Sequence, residues 1–119
     1  MEQFKIESAA GNRDGVRILR LSGSFTLKDL FEFNGVFRAL TDPVLIVDLT
    51  DVPYMDSASV GALMSVHTSA QRNNRQYALV GASERIQTLL HVVGLDRILV
   101  MYPTLEEAQE KLTSKAASN

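Results

Sequence analysis

The sequence predicts an α/β fold built on a mixed sheet of about five strands with about four helices. Two short β-rich runs, residues 3–7 and 16–22, flank a loop rich in Gly, Asn and Asp that is typical of an antiparallel hairpin. After this hairpin, apolar strand patterns alternate with amphipathic helix patterns. Such alternation indicates parallel strands joined by helices, because βαβ crossovers are nearly always right-handed.

The first predicted helix follows Gly23, which ends the second strand. Thr26 is a suitable N-cap for this helix, and Asp42-Pro43 terminates the segment. The apolar residues between them are spaced as one broad helical stripe, the pattern of a helix with one buried side. This stripe consists of Leu27, Leu30, Phe31, Phe33, Val36, Phe37 and Leu40.

The centre of the predicted sheet is the unbroken apolar run 44–47, which ends in Asp48. A strand of this kind is buried on both faces, between helices. A loop over residues 50–56 leads to a second helical pattern, from Val60 to Ala70, which closes at the polar cluster 72–74.

Two more strands are predicted at 76–80 and 97–101. Between them Ser83 is suited to cap a third helix, and Gly94 to end it in a left-handed conformation. Thr104-Leu105-Glu106-Glu107 matches a capping box that opens a last helix running to about Leu112. We predict one domain over residues 1–119, with a flexible tail from about 113 to 119.

The composition limits the classes of function. The 12 basic and 14 acidic residues give a formal charge of -2 and form no block of one sign, which argues against nucleic acid and direct membrane binding. Cysteine is absent, so thiolate chemistry and cysteine-based metal sites are excluded. No secretory or membrane-spanning pattern is present, which favours a cytoplasmic location.

The segment with the most chemical content is 55–61, Met-Asp-Ser-Ala-Ser-Val-Gly, which follows the loop after the central strand. It places hydroxyl groups at a helix N-terminus, where unpaired N–H groups and the helix dipole favour an anion. A phosphate on Ser57 would be accommodated there. The small residues of this turn would let another protein approach its backbone closely.

This segment resembles the Φ-Asp-Ser-Ser/Thr-Gly-Leu-Gly turn of the STAS domain family of bacterial anti-sigma factor antagonists. The resemblance extends over nearly the whole chain and includes the turns at Leu21-Ser22-Gly23 and at 79–83. Gly94-Leu95-Asp96 is also similar to the way the third helix ends in that family. The fold implied is a STAS-like domain.

The resemblance implies a non-enzymatic switch that regulates transcription indirectly and needs no cofactor or metal. In such relatives the Ser after the Asp, here Ser57, is phosphorylated by the partner anti-sigma factor, a protein kinase, and a serine phosphatase resets it. Only the unphosphorylated form sequesters that kinase. The partner-binding residues implied here are Ser24, Thr26, Asp56, Ser57, Ala58, Ser59 and Gly61.

The sequence departs from the family pattern at two residues of the motif and in one neighbouring segment. Ala58 stands where a second hydroxyl is common, and Ser59 replaces the usual Gly and adds a side chain where backbone approach is closest. Relatives commonly have Gly-Glu-Leu-Asp where this chain has Gly23-Ser24-Phe25-Thr26. With Thr26 in place of the acid, repulsion of a phosphate would be smaller.

Other interpretations of the same residues remain. Ser57 or Asp56 could simply cap the helix, and capping is the preferred role for Asp56 over magnesium binding or phosphate repulsion. The domain could be a structural STAS subunit of a membrane lipid-transport ATPase complex. The helix terminus at Ser57 could bind a nucleotide, with or without weak hydrolysis.

The positions of the acidic and histidine residues in the sequence argue against a catalytic or metal site. Asp48 and Asp51 lie at a strand end, where acidic residues commonly cap turns or face solvent, so acid–base catalysis by this pair is not expected. His67 and His91 fall on different predicted helices without ligand spacing, so neither a metal site nor a catalytic triad is predicted.

Overall fold

The computed structural model describes residues 3–117 of the chain, and the side chains of residues 3–112. A single five-stranded sheet in the order β1-β2-β3-β4-β5 runs through this part of the chain. The first pair of strands is antiparallel and each later pair is parallel, which confirms the predicted mixed sheet. The strands are β1 (Lys5–Ala10), β2 (Val16–Ser22), β3 (Val44–Asp51), β4 (Gln76–Val80) and β5 (Met101–Tyr102).

The four α-helices of this region also follow the predicted order, α1 (Leu30–Ala39), α2 (Ser57–Arg72), α3 (Glu84–Val92) and α4 (Leu105–Ala117). Helices α1, α2 and α3 contribute to one hydrophobic cluster, together with Leu45 and Val47 of β3. Helix α4 packs in a second cluster with Val44 and Ile46. The 44–47 run is therefore buried on both faces, as its apolar sequence predicted.

The boundaries of two strands differ from the prediction. Strand β1 is shifted from 3–7 to Lys5–Ala10, because its pairing with β2 continues to Ala10, opposite Arg17. The last strand, predicted at 97–101, is only Met101–Tyr102, because Leu95–Arg97 form a 3-10 helix after Gly94. Gly94 has a φ of 80°, so its predicted left-handed conformation is correct.

Strand β3 also continues past Asp48 to Asp51, so the predicted loop 50–56 is shortened. The register between β2 and β3 shifts near the end of this extension, where the pair Arg20 and Asp48 is followed by the pair Ser22 and Asp51. The extra residue on β3 is the signature of a bulge, which commonly re-aims a strand end next to a functional site.

The predicted apolar stripe of the first helix is only partly buried. Phe33 and Phe37 are in the core, whereas Leu27 is 66% and Phe31 94% exposed. Thr26 caps a 3-10 helix, Leu27–Asp29, rather than α1 directly, and its tighter winding changes the angular position of Leu27. Phe31 lies about 200° around the α-helix from Phe33, so the two cannot share a narrow face.

The helix predicted to end near Leu112 continues to Ala117. The predicted flexible tail at 113–119 lies partly outside the described residues and remains a prediction.

Candidate functional site

Beyond the ends of β2 and β3, the two chain segments continue side by side. Gly23 N donates to Asp51 O at 3.1 Å, and Phe25 N donates to Tyr54 O at 3.0 Å. Phe25 and Met55 form an isolated parallel bridge. This pairing brings residues 24–26, which the sequence had assigned to the candidate site, next to the start of α2.

Two residues fix the geometry of this pairing. Gly23 has a φ of 80°, a left-handed conformation that favours glycine, and a Cβ there would meet the backbone of Gln3. Phe25 is fully buried, and its ring lies 4.6 Å from that of Phe4 and 5.1 Å from that of Phe33. The segment is therefore held by the core beneath it.

Asp56 is the N-cap of α2, the role preferred for it from the sequence. Its Oδ1 accepts a hydrogen bond from Ser59 N at 2.9 Å. Its Oδ2 accepts another from Leu27 N, also at 2.9 Å, at the start of the 3-10 helix before α1. One carboxylate thus connects the beginnings of two helices.

Ser59 completes the capping box. Its hydroxyl accepts a hydrogen bond from Asp56 N at 3.0 Å and donates to Asp56 O at 2.9 Å. The side chains of Ser59 and Ser24 are both buried. The sequence predicted a direct contact of both side chains with a partner. Because both are buried, such a contact would require the surface to open.

Ser57 is the exposed first residue of α2. Because Asp56 is the cap, the alternative that Ser57 fills this role is wrong. Ala58 is half-exposed, and Gly61 is exposed one turn further along the helix. Thr26 is half-buried, with its N–H donating to Asp29 Oδ2 at 2.9 Å. Ser57, Ala58 and Gly61 therefore present accessible atoms at the helix start.

Hydrogen bonding lowers the pKa of Asp56 below its ordinary value. The largest cause is the N–H of Ser59, partial burial acts in the opposite direction, and the N–H of Leu27 adds to the lowering. The carboxylate therefore remains charged at neutral pH. A permanent negative charge thus lies next to Ser57 in the chain.

This lowered pKa gives a pH dependence of stability. A carboxyl group with a depressed pKa in the folded state stabilises above its unfolded pKa, near 4, and this stabilisation is lost as the pH falls through the folded pKa. We expect Asp56→Asn, which keeps a good capping side chain, to be less stable than the wild type at pH 6. The difference should shrink at about pH 3, as measured by urea unfolding at both pH values. An unchanged difference would contradict this assignment.

A cleft of about 450 Å³ lies beside Ser57. Its walls come from the loop before α2 and from α3, and its lining includes Tyr54, Arg85 and Leu89. The guanidinium carbon of Arg85 lies 5.5 Å from the centroid of the Tyr54 ring, an arrangement that permits a cation–π interaction. Leu27, whose N–H binds Asp56, and Phe31, four residues later, have exposed apolar side chains.

Sequence reasoning did not assign Leu27, Phe31, Tyr54 or Arg85 to the site. Leu27 and Phe31 were assigned to the buried stripe of the first helix. Tyr54 was within a predicted loop, and Arg85 was in the first turn of a helix with no evident relation to the site. One signal was present: helices that follow adjacent parallel strands begin at the same edge of the sheet, which would have brought residue 85 near residue 57.

The other polar residues considered from the sequence lie in structural contacts. Asp48 Oδ1 accepts hydrogen bonds from the N–H of Thr50 at 3.0 Å and from its hydroxyl at 2.6 Å. His67 Nδ1 lies 2.7 Å from the Tyr77 hydroxyl. His91 Nδ1 lies 2.7 Å from Asp96 Oδ2. Within the described part of the chain, no cluster of His, Asp and Glu residues has the composition to hold a metal ion.

Within residues 3–117, no helix combines the length and apolar character needed to cross a membrane.

Comparison with known proteins gives a consistent result. The STAS domain family model matches residues 9–108. An anti-sigma-B factor antagonist of Listeria monocytogenes is 30% identical over 76 residues, 64% of this chain and 67% of that protein. A Thermotoga maritima protein proposed to be an anti-sigma factor antagonist is 34% identical over 67 residues, 56% of this chain and 59% of that protein. The match to this Thermotoga relative therefore spans less than two thirds of its length.

The fold is also found among solved structures. The crystal structure of a proposed anti-sigma factor antagonist from Thermotoga maritima has a TM-score of 0.83 and 25% identity to this chain. The match covers 91% of this chain and 94% of that one. The sheet topology, the sequence motif at the start of α2 and the family model all lead to the same assignment, and the chain belongs to the STAS domain family.

Proposed function

We propose that this chain is an anti-sigma factor antagonist whose binding to its partner is controlled by phosphorylation of Ser57. The partner is an anti-sigma factor with protein kinase activity, and a serine phosphatase reverses the modification. Family membership and the names of the relatives support the antagonist role. The observation that carries the switch is the exposure of Ser57 at the first position of α2, beside an Asp56 that is already committed as the cap.

A phosphoacceptor must be reachable by a kinase active site, and Ser57 meets this requirement. Its side chain is exposed, and among the described residues its hydroxyl forms no hydrogen bond that would have to break. Ser59, two residues further on, is buried and has both of its hydroxyl interactions with Asp56. The structure therefore favours Ser57 over Ser59 as the acceptor.

The proposed docking surface is the exposed area around Ser57, formed with Leu27, Phe31 and Tyr54. Leu27 is tied to Asp56 through its N–H, and Phe31 follows one helical turn after Leu27. Large exposed apolar side chains are typical of the centre of a protein–protein contact. Ala58 has only a methyl side chain and Gly61 has none, which leaves room for a partner segment over the first turn of α2.

The switch follows from where a phosphate would lie. A phosphoserine adds about -1.5 to -2 charges at neutral pH. In the free protein the positive end of the α2 dipole and the surrounding water stabilise these charges. In the complex the same charges would lie within a desolvated contact, where an unpaired ion is strongly unfavourable. Phosphorylation should thus release the partner while the fold remains intact.

Binding, not catalysis, is the proposed activity. Asp48 accepts hydrogen bonds from the N–H and the hydroxyl of Thr50 in its own turn. The chain therefore acts by occupying the anti-sigma factor. Its effect on transcription would be indirect.

The proposal is tested by locating the phosphate. We expect incubation with candidate anti-sigma kinases and ATP to place one phosphate on Ser57, as read by mass spectrometry of proteolytic peptides. Ser57→Ala should abolish the modification. Ser65→Ala is the matched control, because Ser65 is also exposed on α2, and it should be phosphorylated as fully as the wild type. Phosphate on another residue would overturn the assignment.

A further inference from the structure

We propose that Arg85 is the group that receives the phosphate on Ser57 and holds it against the protein's own surface. This inference rests on the proposed role of Ser57 as phosphoacceptor and adds a second residue to the switch. Arg85 belongs to α3, the helix adjacent to the site. Ser57 and Arg85 line the same cleft, so a phosphate on Ser57 would share this cleft with a guanidinium group.

The environment of Arg85 leaves its charge available. The described side chains form four ion pairs, and none of them includes Arg85. Its contact is with the Tyr54 ring, 5.5 Å from the guanidinium carbon to the ring centroid. An aromatic ring orients a guanidinium group but leaves its N–H donors in the plane of the group free for an oxyanion.

Helix stability does not explain the position of Arg85. It lies in the first turn of α3, directly after Glu84, where the helix dipole favours anions and disfavours cations. Glu84 lines a different cleft, together with His91 and Asp96. The guanidinium group of Arg85, in the first turn of α3 and next to the Tyr54 ring, is in a position to bind a negatively charged group at the start of α2.

The charge balance of the site also favours such a group. Asp56 keeps its negative charge because its pKa is lowered, and it is adjacent in the chain to the modified residue. A phosphate on Ser57 would therefore be repelled by its neighbour. A guanidinium group can bind two phosphate oxygens at once through parallel N–H donors, which offsets this repulsion more effectively than a point charge can.

The consequence is a definite orientation of the modified side chain. With the phosphate drawn toward Tyr54 and Arg85, the negative charge is fixed at the edge of the proposed docking surface. The partner would then contact a phosphate group with a fixed position and not a mobile one. Arg85 is thus a positioning residue for the switch, and its effect must be visible in the protein alone.

The test uses protein in which phosphoserine is installed at position 57 during translation, so no kinase is needed. The pKa of the phosphate, ordinarily about 6, is measured by phosphorus NMR in the otherwise wild-type chain, in Arg85→Gln and in Arg72→Gln. Arg72 is an exposed arginine at the opposite end of α2 and is the matched control. We expect Arg85→Gln to raise the phosphate pKa by about half a unit, because a nearby cation favours the dianion.

Arg72→Gln should leave the phosphate titration unchanged. Equal titrations for the wild type and Arg85→Gln would overturn the inference, as would an equal shift in Arg72→Gln. Because the phosphate is placed without a kinase, this result is separate from the proposed function. If the kinases do not phosphorylate Ser57 but Arg85→Gln shifts the phosphate pKa, the proposed kinase partner is rejected. If the kinases phosphorylate Ser57 but Arg85→Gln leaves the phosphate pKa unchanged, only the role of Arg85 is rejected.

Discussion

Phe25→Ala is expected to destabilise the protein by roughly 3–5 kcal/mol, the range for removing a fully buried aromatic side chain. The Phe25 ring has no exposed surface, stacks on the Phe4 ring and lies tilted against the Phe33 ring. Its truncation would leave a cavity beneath the segment that leads to Thr26. Urea unfolding monitored by circular dichroism measures the loss directly.

Phe31→Ala is the matched control for this prediction. The same chemical change is made only six residues away, but the Phe31 side chain is 94% exposed. Its removal should alter the free energy of unfolding by about 0.5 kcal/mol or less. A loss from Phe31→Ala as large as that from Phe25→Ala would contradict the described orientation of α1. So would a loss below about 1 kcal/mol from Phe25→Ala.

The architecture could be predicted from the sequence because its signals are local. The hairpin loop, the run 44–47 and the capped helix starts each depend on residues close together in the chain. The burial of 44–47 on both faces followed from the absence of any polar residue within the run. The capping role of Asp56 followed from the preference of Asp for that position.

Features that depend on tertiary contacts could not be predicted in this way. Whether Phe31 or Phe33 faces the core depends on the rotation of α1 about its own axis, which the packing of Phe33 and Phe37 in the core determines. The stacking of Arg85 on Tyr54 joins segments far apart in sequence. Apolar periodicity alone predicts Phe31 as a core residue and gives no assignment for Tyr54 or Arg85.

In the candidate site too, some residues were predicted correctly from the sequence and others were not. Its exposed phosphoacceptor candidate, Ser57, was identified from the motif. Ser59 was expected to face a partner, but its hydroxyl pairs with the backbone N–H and C=O of Asp56 and is buried. Ser59, which replaces the glycine common in the family, therefore points into the protein. Its hydroxyl strengthens the cap of α2 and does not add to the exposed surface.

A phosphate on Ser57 is expected to weaken the complex with the anti-sigma factor by roughly a hundredfold or more. The reason is that an uncompensated charge inside a desolvated contact costs several kcal/mol, and each 1.4 kcal/mol is about tenfold in affinity. The unmodified hydroxyl imposes no such cost. The fold itself should tolerate the phosphate, since it lies at the exposed start of α2.

The most direct measurement is the affinity of the purified anti-sigma kinase for this protein, by calorimetry with ADP present so that no phosphate is transferred. Unmodified protein and Ser57→Ala should bind equally well, and protein with phosphoserine at 57 should bind at least about a hundredfold more weakly. Phosphoserine at the exposed position 65, about 12 Å further along the helix, is the control for added charge and should bind nearly as well as the unmodified protein. Equal affinity of the modified and unmodified Ser57 proteins would contradict the account.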